Sequence, residues 1–238
     1  MNKFNWLKAI EEVPYLFKSK RAQPKESGVI MKKAIIIHCW NGSPEYYWYP
    51  YVKRELEDRG FAVATPFLPD MFPLLSKWLA RIKLAVGIPD EDTYFIGHSL
   101  GSVALLKYLQ GLPEGQKVGG VVLLAPFVDD LNFRFLRNFF VEPLNYELIK
   151  SKSPGFIVIS SFNDPYIKLY HSEILKTNLN ADVIWTNKGH FTEYGDKSKC
   201  FYLPEVITAI EKLSKSYLKD NYEKSIHNRS CQASWQSA

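Results

Sequence analysis

The sequence predicts an open, mainly parallel α/β sheet with helices on both faces. Three observations lead there. Six short apolar or β-branched runs alternate with stretches of helical periodicity. The fourth run, Val118 to Leu124, is apolar throughout, as a strand covered on both faces must be. Finally, Gly97-His98-Ser99-Leu100-Gly101 stands between a strand-like and a helix-like run, the setting of a tight strand-turn-helix elbow. With 238 residues and 46% hydrophobic content, the chain is long enough to bury one sizeable core.

Residues 1–32 read as a basic extension. Phe4, Trp6, Leu7 and Ile10 make one amphipathic stretch, and a polar linker runs from Ser19 to Gly28. Regular alternation occupies 33–219. A strand is expected at Ala34 to Ile37, a loop at His38 to Pro44, and a helix from Tyr49 to Arg59 ended by Gly60. A strand around Phe61 to Ala64 and a helix around Leu74 to Val86 come next. Thr93 to Ile96 then forms the elbow strand, and Val103, Leu105, Leu106 and Leu109 mark the helix over Ser102 to Gln110. After Val118 to Leu124 comes an aromatic-rich segment, 130–152, in the position of a small cap. Two more units follow: a strand at Phe156 to Ser160 with a helix near Lys168 to Thr177, and a strand at Asp182 to Trp185 with a helix around Pro204 to Leu218. The tail, 220–238, is polar and without periodicity, and reads as disordered.

Composition excludes several classes. Cys39, Cys200 and Cys231 are odd in number and widely spaced, so neither a disulfide framework nor a Cys-x-x-Cys metal site is supported. No apolar run approaches the roughly 20 residues that cross a bilayer, and the chain is expected in the cytoplasm. The formal charge is +5, and residues 1–33 account for all of it with eight Lys or Arg against three Glu. A neutral remainder argues against nucleic acid as the main ligand. No cluster of His, Asp and Glu has metal-ligand spacing, so neither a metal nor any other cofactor is expected.

The elbow points to a nucleophilic Ser99, because a serine bracketed by glycines can project from a turn too tight for larger neighbours. A hydroxyl is a poor nucleophile at neutral pH. It requires a base to take its proton and a carboxylate to orient that base. Enzymes with such an elbow carry the acid and then the histidine later in the chain, beyond the carboxyl ends of later strands. Here Asn163-Asp164-Pro165 follows the fifth strand and Lys188-Gly189-His190-Phe191 the sixth. Asp164 and His190 are the expected partners. Asp129 and Asp130, after the fourth strand, are alternative acids. His171 lies within a helix and His227 in the tail, while His38 and His98 suit structural hydrogen bonding. An oxyanion would need two backbone donors. Leu100 N–H supplies one at the start of the elbow helix, and the second is expected from Trp40, with Asn41 as its alternative. Cys39, beside a buried strand end, reads as an inert small residue.

Several stretches taken in order carry a resemblance: Ile35-Ile36-Ile37-His38, Tyr49-Pro50-Tyr51-Val52-Lys53, Leu68-Pro69 with Trp78, Gly97 to Ser102, Asp164-Pro165-Tyr166 and Gly189-His190-Phe191. Over about residues 33–217 the chain resembles the small serine hydrolases typified by retinoblastoma-binding protein 9 and YdeN, a minimal branch of the α/β-hydrolase superfamily. It departs from them in reading His38-Cys39 where His-Gly is common. The resemblance implies Ser99 as nucleophile, Asp164 as acid and His190 as base. It also implies a six-stranded sheet in the order 2-1-3-4-5-6. The expected activity is hydrolysis of small carboxylic esters through an acyl-enzyme. A peptidase or acyltransferase would use the same residues, and a protein that binds a partner while retaining the triad is a further alternative. Phe133, Phe135, Phe139 and Phe140 of the insert suit either an apolar acyl pocket or a cover for the sheet.

Overall fold

The computed structural model describes residues 31–68, 71–192 and 200–215. The expectations for the amphipathic stretch, the polar linker and the tail concern residues outside these. Strand β1, Lys33–Ile37, begins the regular fold, and helix α1, Tyr49–Asp58, follows with Pro50 in its first turn, where a missing N–H is harmless. Gly60, at φ 85°, turns the chain into the short β2, Ala62–Ala64. Then come α2 (Leu75–Val86), β3 (Thr93–His98), α3 (Leu100–Gln110) and β4 (Gly120–Leu124). Strand β5 (Phe156–Ser161), α5 (Tyr170–Leu179) and β6 (Asp182–Thr186) complete the sheet, and a last helix, α6, occupies 204–215. Between β4 and β5 lie a 3-10 helix, Arg134–Phe139, and a short α4, Tyr146–Ser151. Sequence periodicity leaves α4 unassigned because six residues are under two turns. Its start is nonetheless marked by Asn145, whose side chain accepts the Leu148 N–H.

The sheet runs β2-β1-β3-β4-β5-β6 with every neighbouring pair parallel, the order that the resemblance implies. Right-handed crossovers require α1 on one face and α2, α3, α4 and α5 on the other. The contacts agree: α2 touches α3, α3 touches α4, and α4 touches α5. Helix α6 joins the α1 side, where Arg59 Nε meets Glu211 Oε1 at 2.9 Å. Strands β3, β4 and β5 are buried at every residue, which is why their sequences are nearly continuous in apolar character. Helix α3 is buried from Leu100 to Leu109. Val103, Leu105, Leu106 and Leu109 are each fully enclosed, contributing about 2 kcal/mol apiece relative to exposure. A parallel sheet with these crossovers collects the loops after β1, β3, β4, β5 and β6 at one edge. Among the described residues no helix is long and apolar enough to cross a membrane.

Candidate active site

Ser99 is the residue between β3 and α3, and its backbone is strained, at φ 54° and ψ −118°. A non-glycine residue held there costs on the order of 1–3 kcal/mol, so the surroundings must enforce it. They do so by close packing. A Cβ on Gly101 would lie 2.4 Å from the Ile37 carbonyl oxygen and 2.6 Å from that of His38. One on Gly97 would lie 2.7 Å from Ser102 Cα. Only glycine lets α3 start this close to the end of β1. Hydrogen bonds lock the turn: Ser99 N–H donates to the Leu124 carbonyl at 2.8 Å, and Ser102 Oγ donates to the Gly97 carbonyl at 2.8 Å. Ala125 (φ 41°) and Phe191 (φ 58°) are also in the left-handed region, so backbone strain gathers around this sheet edge.

The loops after β5 and β6 bring a carboxylate and an imidazole to Ser99. His190 Nε2 lies 2.9 Å from Ser99 Oγ, and His190 Nδ1 lies 2.7 Å from Asp164 Oδ2. A carboxylate only accepts hydrogen bonds, so Nδ1 carries the ring proton and Nε2 is left with a lone pair toward the serine hydroxyl. Asp164 is itself oriented, since its Oδ1 accepts the N–H groups of Tyr166 at 2.8 Å and Ile167 at 3.0 Å. Its side chain is 2% exposed. Asn163 ties the two loops together: its Oδ1 accepts from Ser161 Oγ at 2.6 Å and from Gly189 N–H at 2.8 Å. The Tyr166 ring stands edge-on to His190 at 5.1 Å. The alternative acids are engaged elsewhere. Asp129 accepts from Tyr170 OH at 2.9 Å, and Asp130 pairs with Arg137 at 3.2 Å.

The loop after β1 is a tight turn in which Gly42 N–H donates to the Cys39 carbonyl at 3.1 Å, with Trp40 and Asn41 at its centre. Asn41, at φ 53°, takes the left-handed position, so Cys39 stands where glycine's range is not needed. Among the described residues, the N–H groups of Leu100, Trp40 and Asn41 meet no protein acceptor. That leaves them available to a ligand. Cys39 N–H is not, because it donates to Tyr49 OH at 3.0 Å. Burial pushes the Cys39 thiol up to about 11, in keeping with an inert residue.

A buried relay joins this turn to the histidine loop. Tyr49 OH, accepting from Cys39 N–H, donates to His98 Nδ1 at 2.6 Å, and His98 Nε2–H donates to the His190 carbonyl at 2.8 Å. Tyr49 and His98 are both fully buried. Burial, reinforced by the nearby His190, holds His98 well below the ordinary imidazole range and hence neutral. His38 has its own fixed tautomer. Its Nδ1–H donates to the Cys39 carbonyl at 2.7 Å, while Nε2 accepts Leu68 N–H at 2.9 Å. The structural role expected of His38 and His98 is therefore met. Sequence alone assigns no role to Tyr49 or Asn163: Tyr49 enters only as part of a family-like stretch, and an asparagine before an aspartate carries no distinguishing pattern.

The insert divides its aromatic residues. Phe139 is fully buried and packs on Trp78, and Phe140 approaches Phe127 with centroids 6.1 Å apart. Phe135 meets Trp40, and Phe133 meets Phe135. Among the described residues, no group of three or more His, Cys, Asp or Glu is gathered as a metal site would require.

Residues 34–200 match the family model described as Serine hydrolase. YdeN of Bacillus subtilis (strain 168) is 28% identical over 165 residues, which cover 68% of this chain and 87% of YdeN. The serine hydrolase RBBP9 of Rattus norvegicus is 29% identical over 168 residues, covering 67% of this chain and 87% of RBBP9. The crystal structure of the ydeN gene product of B. subtilis superposes with a TM-score of 0.71 at 27% identity, covering 76% of this chain and 98% of that one. Est1E from Butyrivibrio proteoclasticus shares the fold, with a TM-score of 0.58 at 16% identity over 82% of this chain and 90% of its own. Because the matched model takes in the sheet, the elbow and the loops that carry Asp164 and His190, the chain belongs to the serine hydrolase family.

Proposed function

We propose that this hydrolase cleaves carboxylic esters through a Ser99-His190-Asp164 triad, with 33–219 as the hydrolase domain. The reading rests on one observation above all: hydroxyl, imidazole and carboxylate form a continuous series at 2.9 and 2.7 Å, with the lone pair of His190 toward Ser99. His190 Nε2 takes the Ser99 proton as Oγ attacks the ester carbonyl. The oxyanion is held by Leu100 N–H and Trp40 N–H, dipoles fixed before the reaction begins. Collapse of the tetrahedral intermediate breaks the ester C–O bond, and the alcohol leaves with the proton from His190. Water, deprotonated by the same nitrogen, then attacks the acyl-enzyme and releases the acid and free Ser99. Throughout, Asp164 keeps the imidazole in one tautomer and stabilises it when charged. Esters are favoured over amides because an alkoxide leaving group makes smaller demands on proton delivery than an amine. Cys39 and Cys200 are free thiols, which suits the cytoplasm.

A fluorophosphonate probe tests the assignment. It should label the wild-type chain at Ser99 and leave Ser99→Ala unlabelled. Equal labelling of both would remove Ser99 from the mechanism.

A further inference from the structure

Trp40, Phe135 and Phe133 form a row of rings beside the core, with Phe135 half-buried against it. Trp40 lies against Phe135 with centroids 4.7 Å apart, and Phe135 against Phe133 at 5.6 Å. Phe133 is 50% exposed and Trp40 42%, whereas Leu136 and Phe139, on the inward side of the same 3-10 helix, are buried. The row is also fixed in place. Trp40 Nε1 donates to the Met71 carbonyl at 2.8 Å. Asn138 accepts Leu75 N–H at 2.7 Å and donates to the carbonyls of Pro73 at 3.0 Å and Phe135 at 2.8 Å. Four hydrogen bonds thus hold the oxyanion turn, the 71–75 segment and the 3-10 helix around rings of which Trp40 and Phe133 remain open to solvent.

The sheet order says which part of an ester meets this row. Ser99 directly follows β3; β1, which leads to Trp40, lies on one side of that strand, and β6, which leads to His190, lies on the other beyond β4 and β5. The leaving alcohol must lie toward His190, which protonates it. The acyl group then extends the opposite way, past the oxyanion turn.

We infer that the Trp40-Phe135-Phe133 row is the acyl-binding surface and that it selects esters with extended apolar acyl groups, alkyl or aryl, over acetyl esters. The inference rests on the proposed ester hydrolysis. Its test is a series of chromogenic esters of one alcohol, carrying acetyl, butyryl, hexanoyl and 3-phenylpropanoyl groups. The full chain is used, and rates are normalised to active sites counted with fluorophosphonate. The kcat/KM of the wild type should rise about two- to threefold per methylene from acetyl to hexanoyl, less than full burial of each methylene would give because the row is open on one side. Phe133→Ala and Phe135→Leu should each cut the hexanoyl-to-acetyl ratio several-fold, chiefly through KM. The phenylpropanoyl arm separates ring stacking from plain apolar contact: Phe135→Leu lowers it more than the hexanoyl arm if stacking contributes. A flat series with Ser99 labelled, or a chain-length preference untouched by both substitutions, overturns the acyl surface while leaving ester hydrolysis standing. An unlabelled Ser99 with no ester turned over removes both.

Discussion

Tyr49→Phe deletes one oxygen from the centre of the buried relay. The hydroxyl has two partners, Cys39 N–H at 3.0 Å and His98 Nδ1 at 2.6 Å, and both lie in the fully or nearly fully buried interior. Leaving a buried donor or acceptor without a partner costs about 1–3 kcal/mol. Water does not replace the hydroxyl, since the gap left by one oxygen is smaller than the roughly 30 Å³ that a water molecule occupies in the liquid. His98 has no escape through its other tautomer. A proton moved to Nδ1 would leave Nε2 bare against the His190 carbonyl at 2.8 Å, exchanging a hydrogen bond for lone-pair repulsion. Two groups orphaned together should therefore cost about 2–4 kcal/mol after relaxation. Urea unfolding at neutral pH measures this directly. Because Cys39 leads into the proposed oxyanion turn and the His190 backbone is held by His98, kcat should fall with little change in KM. A stability loss under about 0.5 kcal/mol with unchanged kcat would show that the relay does not carry this energy.

Asp164→Asn should keep the fold but lower kcat by about three to four orders of magnitude, because an amide on His190 Nδ1 no longer fixes the productive tautomer. Asp129→Asn, measured beside it with the same ester, should stay within a few-fold of wild type. Stability should also depend on pH. Burial lowers the pKa of His38, His98 and His171 below the ordinary 6.5, so below that pH the unfolded chain binds protons that the folded chain refuses. Folding free energy is then lost as pH falls from about 7.5 to 5.5, by up to about 1.4 kcal/mol for each of the three histidines. Thermal unfolding across this range checks the sign, and a melting temperature that rose on acidification would contradict it.

Six parallel strands, their helices and the elbow were legible in the chain because each rests on local pattern. Continuous apolar runs mark buried strands, helical spacing marks α2 and α3, and glycines bracket Ser99. The positions of Asp164 and His190 were legible for a different reason: chain order around a parallel sheet dictates which loops reach its carboxyl edge. What the residues alone left open was every choice among equals. Asp129, Asp130 and Asp164 all follow strands, and only the folded loops show that Asp164 meets His190 while the other two bond to Tyr170 and Arg137. Four phenylalanines in one insert look alike in sequence. Tertiary packing buries Phe139, sets Phe140 and Phe135 half-buried against the core, Phe135 also meeting Trp40, and leaves Phe133 exposed against Phe135. The Cys39-Tyr49-His98-His190 relay is likewise invisible in the sequence, since directly bonded members are separated by as many as 92 positions and meet only because β1 and β3 are paired and the β6 loop folds over their ends. Periodicity is a property of neighbours along the chain and fixes which elements form. Partnership between side chains is a property of neighbours in space, and it had to await the fold.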